Sequence, residues 1–233
     1  MTIPTPTSQT APRLDADEPP RRDLWPGIAG IASGVLLLVA LLVTYSNFPD
    51  YEGEDGLRET VTFYRDQGNL DLTEAMTPVM LVAGLLFFWF LAALARLAGK
   101  RSFLVLAGGT AFVVLLMIAA ITGAIYAISA NNTESFLVGP ETAMVAMLLL
   151  DVSYGGSIAA MAAAAVLLFA VWRTAVTTHT LPAWLGWFAF VIAVLSLAGP
   201  FSAWLTVPLM GLWTVVAGVV LVTRSSSSAA GGS

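Results

Sequence analysis

The 233-residue chain is 58% hydrophobic and only 11% charged, with a mean hydropathy of +0.83, whereas a soluble domain carries about a quarter charged residues. Composition therefore excludes an ordinary soluble domain and points to an integral membrane protein. A net charge of -5, with ten Lys and Arg spread along the chain, supplies no positive field to gather phosphates, so no nucleic-acid partner is expected. The absence of cysteine and the single histidine, His179, exclude thiolate nucleophiles, iron–sulfur clusters and cysteine-type zinc sites. They also exclude a bis-histidine haem and a multi-histidine metal centre. No cofactor is expected.

Residues 1–23 hold Pro4, Pro6, Pro12, Pro19 and Pro20 and few apolar groups, and read as a disordered cytoplasmic tail. No short apolar region directly follows a basic start, so they do not read as a secretory signal. Residues 24–224 hold six apolar segments of about the length that crosses ~30 Å of hydrocarbon. The first, 25–45, has Trp25 and Tyr45 at its ends, where amphipathic rings favour the headgroup level. An acidic loop, 46–72, carries Asp50, Glu52, Glu54, Asp55, Glu59, Asp66 and Asp71 against Arg58 and Arg65. Leu57, Val61 and Tyr64 recur in it at helical spacing and predict a short amphipathic helix lying over the bundle. The loop acids match no calcium-loop spacing and read as a solvated surface.

Asp71-Leu72-Thr73-Glu74 reads as a capping box that opens the second segment, 73–97, with Pro78 near its start, where the missing N–H costs least. Gly99-Lys100-Arg101 turns tightly into the third, 103–129. Gly139-Pro140 introduces the fourth, 142–172. The fifth, 182–199, opens at Leu181-Pro182 and stops at Gly199-Pro200. The sixth is 203–222, and 225–233 reads as a flexible cytoplasmic tail.

Arg13, Arg21, Arg22, Arg96, Lys100, Arg101, Arg173 and Arg224 then fall on one side of the membrane, and only Arg58 and Arg65 on the other. The positive-inside rule places both termini in the cytoplasm and the acidic loop outside. The alternation of basic exits and small-residue entries resembles a three-fold hairpin repeat, but any three membrane hairpins obeying that rule give the same pattern.

The fourth segment is the expected packing centre. Gly155-Ala159-Ala163 and Gly156-Ala160-Ala164 place small residues four apart, which lets neighbouring helices approach closely. Apart from Glu74 in the capping box that opens the second segment, Asp151 is the only acidic group within an expected span, and a carboxylate there is by default a functional candidate. It shares a helical face with Tyr154, Gly155, Ile158 and Ala159. Twenty-two residues separate it from Arg173, about 33 Å of helix, so it belongs near the outer edge rather than the midplane. There it is hydrated, or paired with a loop arginine or a hydroxyl. The candidate polar site is Asp151, Tyr154, Tyr126, Arg58 and Arg65.

Tyr126, Ser129, Thr77, Ser202 and Thr206 add to an outer concentration of polar groups, whereas the cytoplasmic half offers little beyond Ser33, Thr110 and Thr214. A conducting path needs polar lining along its whole length. An outward-facing polar vestibule closed below by apolar side chains is the expectation. Gly155-Gly156-Ser157 lacks the histidine base that an intramembrane serine nucleophile needs, and Lys100, the only lysine, sits in a turn where it cannot hold a retinal. Trp184, Trp187 and Trp204 fall at interfaces, and Trp213 alone is deep, as a packing residue.

Leu181-Pro182-Ala183-Trp184-Leu185-Gly186-Trp187, with Gly27-Ile28-Ala29-Gly30 opening the first segment, resembles the small six-helix bacterial inner-membrane proteins of unknown function. The resemblance implies a helical bundle and bacterial inner-membrane residence, and it brings no catalytic residues. The expectation is thus an all-α, polytopic bundle of six transmembrane helices, non-enzymatic for want of an acid–base or metal constellation. Its expected role is that of an interaction or sensory subunit meeting lipid, a protein partner or a second copy. The alternative is a small secondary transporter that uses Asp151 as its coupling or substrate site.

Overall fold

The computed structural model describes residues 24–49, 51, 53–178 and 180–230. The expected tail 1–23 with its three arginines, the loop acids Asp50 and Glu52, His179 and residues 231–233 lie outside them. The described residues fold into α1 (Trp25–Ser46), α2 (Gly56–Arg65), α3 (Gln67–Ala98), α4 (Ser102–Asn132), α5 (Pro140–Thr178), α6 (Ala183–Ser196) and α7 (Ala203–Ala230), with 3-10 turns at Gly99–Arg101 and Gly199–Phe201. No strand occurs among them. Four continuous helical stretches, Trp25–Ser46, Gln67–Asn132, Pro140–Thr178 and Ala203–Arg224, are long and apolar enough to cross a membrane, and α6 is a shorter apolar helix. The longest of the four doubles back at Gly99, whose φ of 54° lies in the left-handed region that glycine adopts at little cost. α3 and α4 then pack along each other. These are the helices of a multi-pass membrane protein.

Several helix ends differ from expectation. α3 begins at Gln67, not at Thr73, because Asp66 caps it: its carboxylate accepts the amide N–H of Asn69 at 3.2 Å. Asp71 and Glu74 therefore lie inside the helix and serve a different purpose. Glu74 Oε2 accepts Nδ2–H groups from Asn131 at 2.6 Å and Asn132 at 3.1 Å, while Asp71 Oδ1 accepts from Gln67 at 2.9 Å and Asn131 at 3.2 Å. These bonds tie the start of α3 to the end of α4. Pro78 consequently sits mid-helix, and Glu74 loses the backbone donor that residue 78 would supply. α5 runs on past Trp172 to Thr178, and α7 past Val222 to Ala230. Serine and alanine in 225–230 cost little in a helix, and no glycine or proline interrupts that segment, so the expected flexible tail is helical over those residues.

α5 is not the centre of the bundle. Each long helix packs mainly on two neighbours, in the ring order α7, α1, α3, α4, α5, α6, with lighter contact between α6 and α7. The interior is filled by large side chains instead of a helix. Phe87, Phe90, Phe112 and Trp213 are almost fully buried and meet edge-on, with ring centroids 5.5–6.1 Å apart, a favourable aromatic geometry. The indole N–H of Trp213 donates to the carbonyl of Leu185 at 3.4 Å.

The two small-residue ladders differ: Gly156-Ala160-Ala164 packs throughout, whereas Gly155-Ala159-Ala163 meets a neighbour only at Ala163, whose carbonyl a Cβ on Gly108 would approach to 3.0 Å. Ala160 and Ala164 are fully buried, and a Cβ on Gly156 would come within 3.0 Å of Ala119 on α4. Gly155 and Ala159 are exposed, with nothing near a Cβ at Gly155. Backbones approach as closely elsewhere, between α1 and α7. A Cβ on Gly34 would stand 2.6 Å from the carbonyl oxygen of Gly211, and one on Gly218 would stand 2.7 Å from that of Gly27.

Gly34→Ala should therefore cost about 1–3 kcal/mol, as overpacking does, whereas Gly155→Ala should be neutral or gain up to about 1 kcal/mol from helix propensity. Thermal unfolding of the two detergent-purified variants checks the difference, and equal shifts in Tm would refute this assignment of the faces.

Candidate functional site

α3, α4 and α5 have 32, 31 and 39 residues and so rise about 48, 46 and 58 Å, well beyond the ~30 Å of a hydrocarbon core. At the end of the bundle that carries α2, their overrun is held together by a second apolar cluster. Tyr64 of α2, Leu70, Tyr126, Ala127 and Ala146 are buried there, with Phe63 and Phe136 against them. Tyr126 is the hub. Its ring lies 4.6 Å from Tyr64 and 5.1 Å from Phe136, and its hydroxyl donates to Thr142 Oγ1 at 3.0 Å. Arg65 adds a latch through Nε and Nη2, both donating to the carbonyl of Val138 at 3.4 and 3.3 Å.

Beneath α2 lies a cleft of about 180 Å³. Leu41, Thr44 and Tyr45 of α1, Thr73, Met76, Thr77 and Met80 of α3, and Leu116, Ala120 and Ala124 of α4 form three of its walls. Leu150, Ser153, Tyr154 and Ser157 of α5 and Ala203 and Val207 of α7 complete them, while Phe63 and Tyr64 form the roof. From Thr73 to Met80 the wall descends about 10 Å. Below Met80 and Leu116 only a void of about 20 Å³ remains, beside Ser33, Phe87 and Phe112, enough for one water. The aromatic layer then closes the path.

The cleft is more apolar than the expected vestibule, for a reason seated in its helices. The hydroxyls that α3 and α5 place along its depth are already used. Thr73 donates to the carbonyl of Asn69 at 2.8 Å and Thr77 to that of Thr73 at 3.0 Å, while Ser153 reaches across to the carbonyl of Ala119 at 2.8 Å and Ser157 returns to Ser153 at 3.1 Å. Among the described residues no Asp, Glu, Lys, Arg or His lines it.

Of the five candidate site residues, Tyr154 alone lines this cleft, with its hydroxyl donating to the carbonyl of Pro200 at 2.6 Å. Asp151 is exposed and accepts the Tyr51 hydroxyl at 3.2 Å. Tyr126 faces the cluster under α2 and a shallow depression with Phe136 and Thr142. Arg58 and Arg65 are exposed on α2. The residues that build the cleft were legible only as faces, since Thr73, Met76, Thr77 and Met80 recur at i, i+3, i+4 and i+7, as do Leu150, Ser153, Tyr154 and Ser157. Among the described residues no group of three or more His, Asp or Glu side chains is placed to hold a metal ion.

No protein-family model, curated protein or solved structure matches this chain.

Burial raises the Tyr64 hydroxyl well above its ordinary pKa, and the Tyr126 and Tyr51 hydroxyls raise it further. A tyrosine exposed by undocking of α2 ionises near its ordinary value of about 10, so the docked state is fully favoured below that pH and loses ground as pH climbs past it. Because the chain lacks cysteine, Glu59→Cys gives a single labelling position on α2. A polarity-sensitive dye there should emit steadily up to about pH 10 and shift to the red above it, and in Tyr64→Phe the shift should be absent. An unchanged alkaline shift in that variant would refute the role of Tyr64.

Proposed function

We propose that the chain is a six-span protein of the bacterial cytoplasmic membrane, with both termini inside, and that it works as an interaction or sensory subunit through the α2-capped cleft. Six apolar helices in alternating register, α1, α3, α4, α5, α6 and α7, support the span number. Arg96, Lys100, Arg101, Arg173 and Arg224 gather at the end of the bundle remote from α2, which the positive-inside rule assigns to the cytoplasm. The resemblance of the 181–187 turn to small six-helix bacterial membrane proteins supports the compartment. Lipid, a partner protein or a second copy are the partners such a subunit would meet.

The observation that carries the functional reading is the closure of the cleft. Its mouth lies at the α2 end, beneath the roof of Phe63 and Tyr64, and it is blocked below by Phe87, Phe90, Phe112 and Trp213, with no charged side chain on its walls among the described residues. Such a cavity holds a molecule but does not conduct one, since a conducting path needs hydrated lining throughout. The transporter alternative draws no support from Asp151, which is engaged by Tyr51 on an exposed face and does not line the cleft.

Two measurements test this reading. In intact cells, Glu134→Cys should react with a membrane-impermeant maleimide, and Lys100→Cys should react only after permeabilisation; the opposite pattern would invert the topology. Proteoliposomes holding the purified protein should pass protons and monovalent ions no faster than protein-free vesicles. A flux abolished by Asp151→Asn would replace the subunit reading with a transporter.

A further inference from the structure

We propose that the occupant of the cleft is a single hydrocarbon chain ending in a small, uncharged, hydrogen-bonding head, of the kind a monoacylglycerol carries. The inference rests on reading the cleft as a binding site and adds the chemistry of what it binds. Three observations select that chemistry.

The first is the absence of charge. Among the described residues no ionised side chain stands on its walls, so these walls offer no partner to a buried carboxylate, phosphate or ammonium, and an unpaired buried charge is strongly disfavoured. The second is the state of the wall hydroxyls. Thr73, Thr77, Ser153 and Ser157 each donate to a backbone carbonyl, so the depth of the cleft presents methyls, Met76, Met80 and alanine faces, a surface suited to methylene groups. Methionine in particular adapts its shape to an apolar guest. The third is the mouth. Polar groups collect there, at the end of α1 and on α5, in Tyr45, Asn47 and Tyr154. Asn47 spends its Nδ2–H on the carbonyl of Val43, which leaves its side-chain oxygen to accept a hydroxyl. The chain therefore points down towards Met80 and the head stays at the rim.

Entry has a structural route. The close glycine contacts between α1 and α7 run from Gly27 to Leu38 and from Gly218 to Gly211. Beyond them Leu41 and Tyr45 of α1 and Ala203 and Val207 of α7 both face the cleft. Pro78 and Pro208 stand inside α3 and α7 at this level, and each removes one backbone hydrogen bond from a cleft wall. α2, which supplies the roof through Phe63 and Tyr64, is pinned mainly by the Tyr64 ring and the Arg65 latch.

The test is photolabelling of the full-length protein with a diazirine-bearing monoacylglycerol, followed by peptide mapping. Label should concentrate in 73–80, 116–124 and 150–157. Unlabelled monoacylglycerol should compete about tenfold better than oleate at pH 9, where the carboxylate is ionised. Ala120→Phe and Met76→Trp fill the cleft from opposite walls and should each cut the labelling about tenfold. Gel filtration and Tm confirm that at least one variant is folded. A diacylglycerol probe labelling the same peptides would identify the bilayer as the source of the chain, and its failure to do so would identify free monoacyl amphiphiles; both outcomes uphold the chemistry. Label confined to outward-facing residues such as Leu42 and Leu85, unchanged in a folded cleft-filling variant, would overturn the proposal. Equal competition by oleate would overturn the uncharged head. Neither result produces ion flux, so failure of the ligand class is distinguishable from failure of the binding reading.

Discussion

Direct backbone contact at glycine sets the shape of this protein. Along Gly27, Gly34, Gly211 and Gly218, α1 and α7 approach until a single added carbon on Gly34 would press on a carbonyl oxygen. Dispersion and close fit are what join helices once lipid has removed the hydrophobic drive between them. The seam occupies only one half of each helix. In the other half the facing residues are Leu41, Thr44 and Tyr45 against Ala203 and Val207, and there the two helices flank a cavity in place of each other. The cleft is what remains where the seam ends.

A second constraint is length. Helices that rise about 46–58 Å cannot be covered by a bilayer along their whole course, so the overrun of α3, α4 and α5 has to bury its own apolar surface. The α2 segment does this with Tyr64 inserted between Phe63 and Tyr126. Asp71 and Glu74 meanwhile satisfy the side-chain amides of Gln67, Asn131 and Asn132 where α3 meets α4. The carboxylates of this loop region thus divide their labour. Some face solvent, and others hold a helix pair together. The cap and the cleft share Tyr64, so ordering α2 and closing the cavity are one structural event.

The aromatic layer of Phe87, Phe90, Phe112 and Trp213 gives the interior its polarity along the bundle axis. Above it the walls carry hydroxyls turned back onto their own or adjacent backbones; below it the core is aliphatic and alanine-rich. No helix stands at the centre of the ring; these aromatic rings and the buried side chains around them fill it. This explains why α5, for all its small residues, is a member of the ring and not its axis.

Much of the fold was written in the sequence. Apolar runs, the Gly99 turn, the Pro140 and Pro182 starts and the amphipathic spacing of Leu57, Val61 and Tyr64 each depend on neighbours within a few residues, and local chemistry determines them. Trp213 was legible as a packing residue from its depth alone. The true start of α3 was not, because two acidic caps five residues apart, Asp66 and Asp71, compete in the sequence. The choice of Asp66 frees Asp71 and Glu74 to bond Asn131 and Asn132, some sixty residues away. Which small-residue ladder of α5 would pack was likewise undetermined, since Gly155 and Gly156 are equivalent until α4 presents Ala119 to one of them. The cleft belongs to tertiary structure entirely. Its walls are ordinary helical faces on α1, α3, α4, α5 and α7, and only the parting of α1 from α7 past the glycine seam turns them towards a common space.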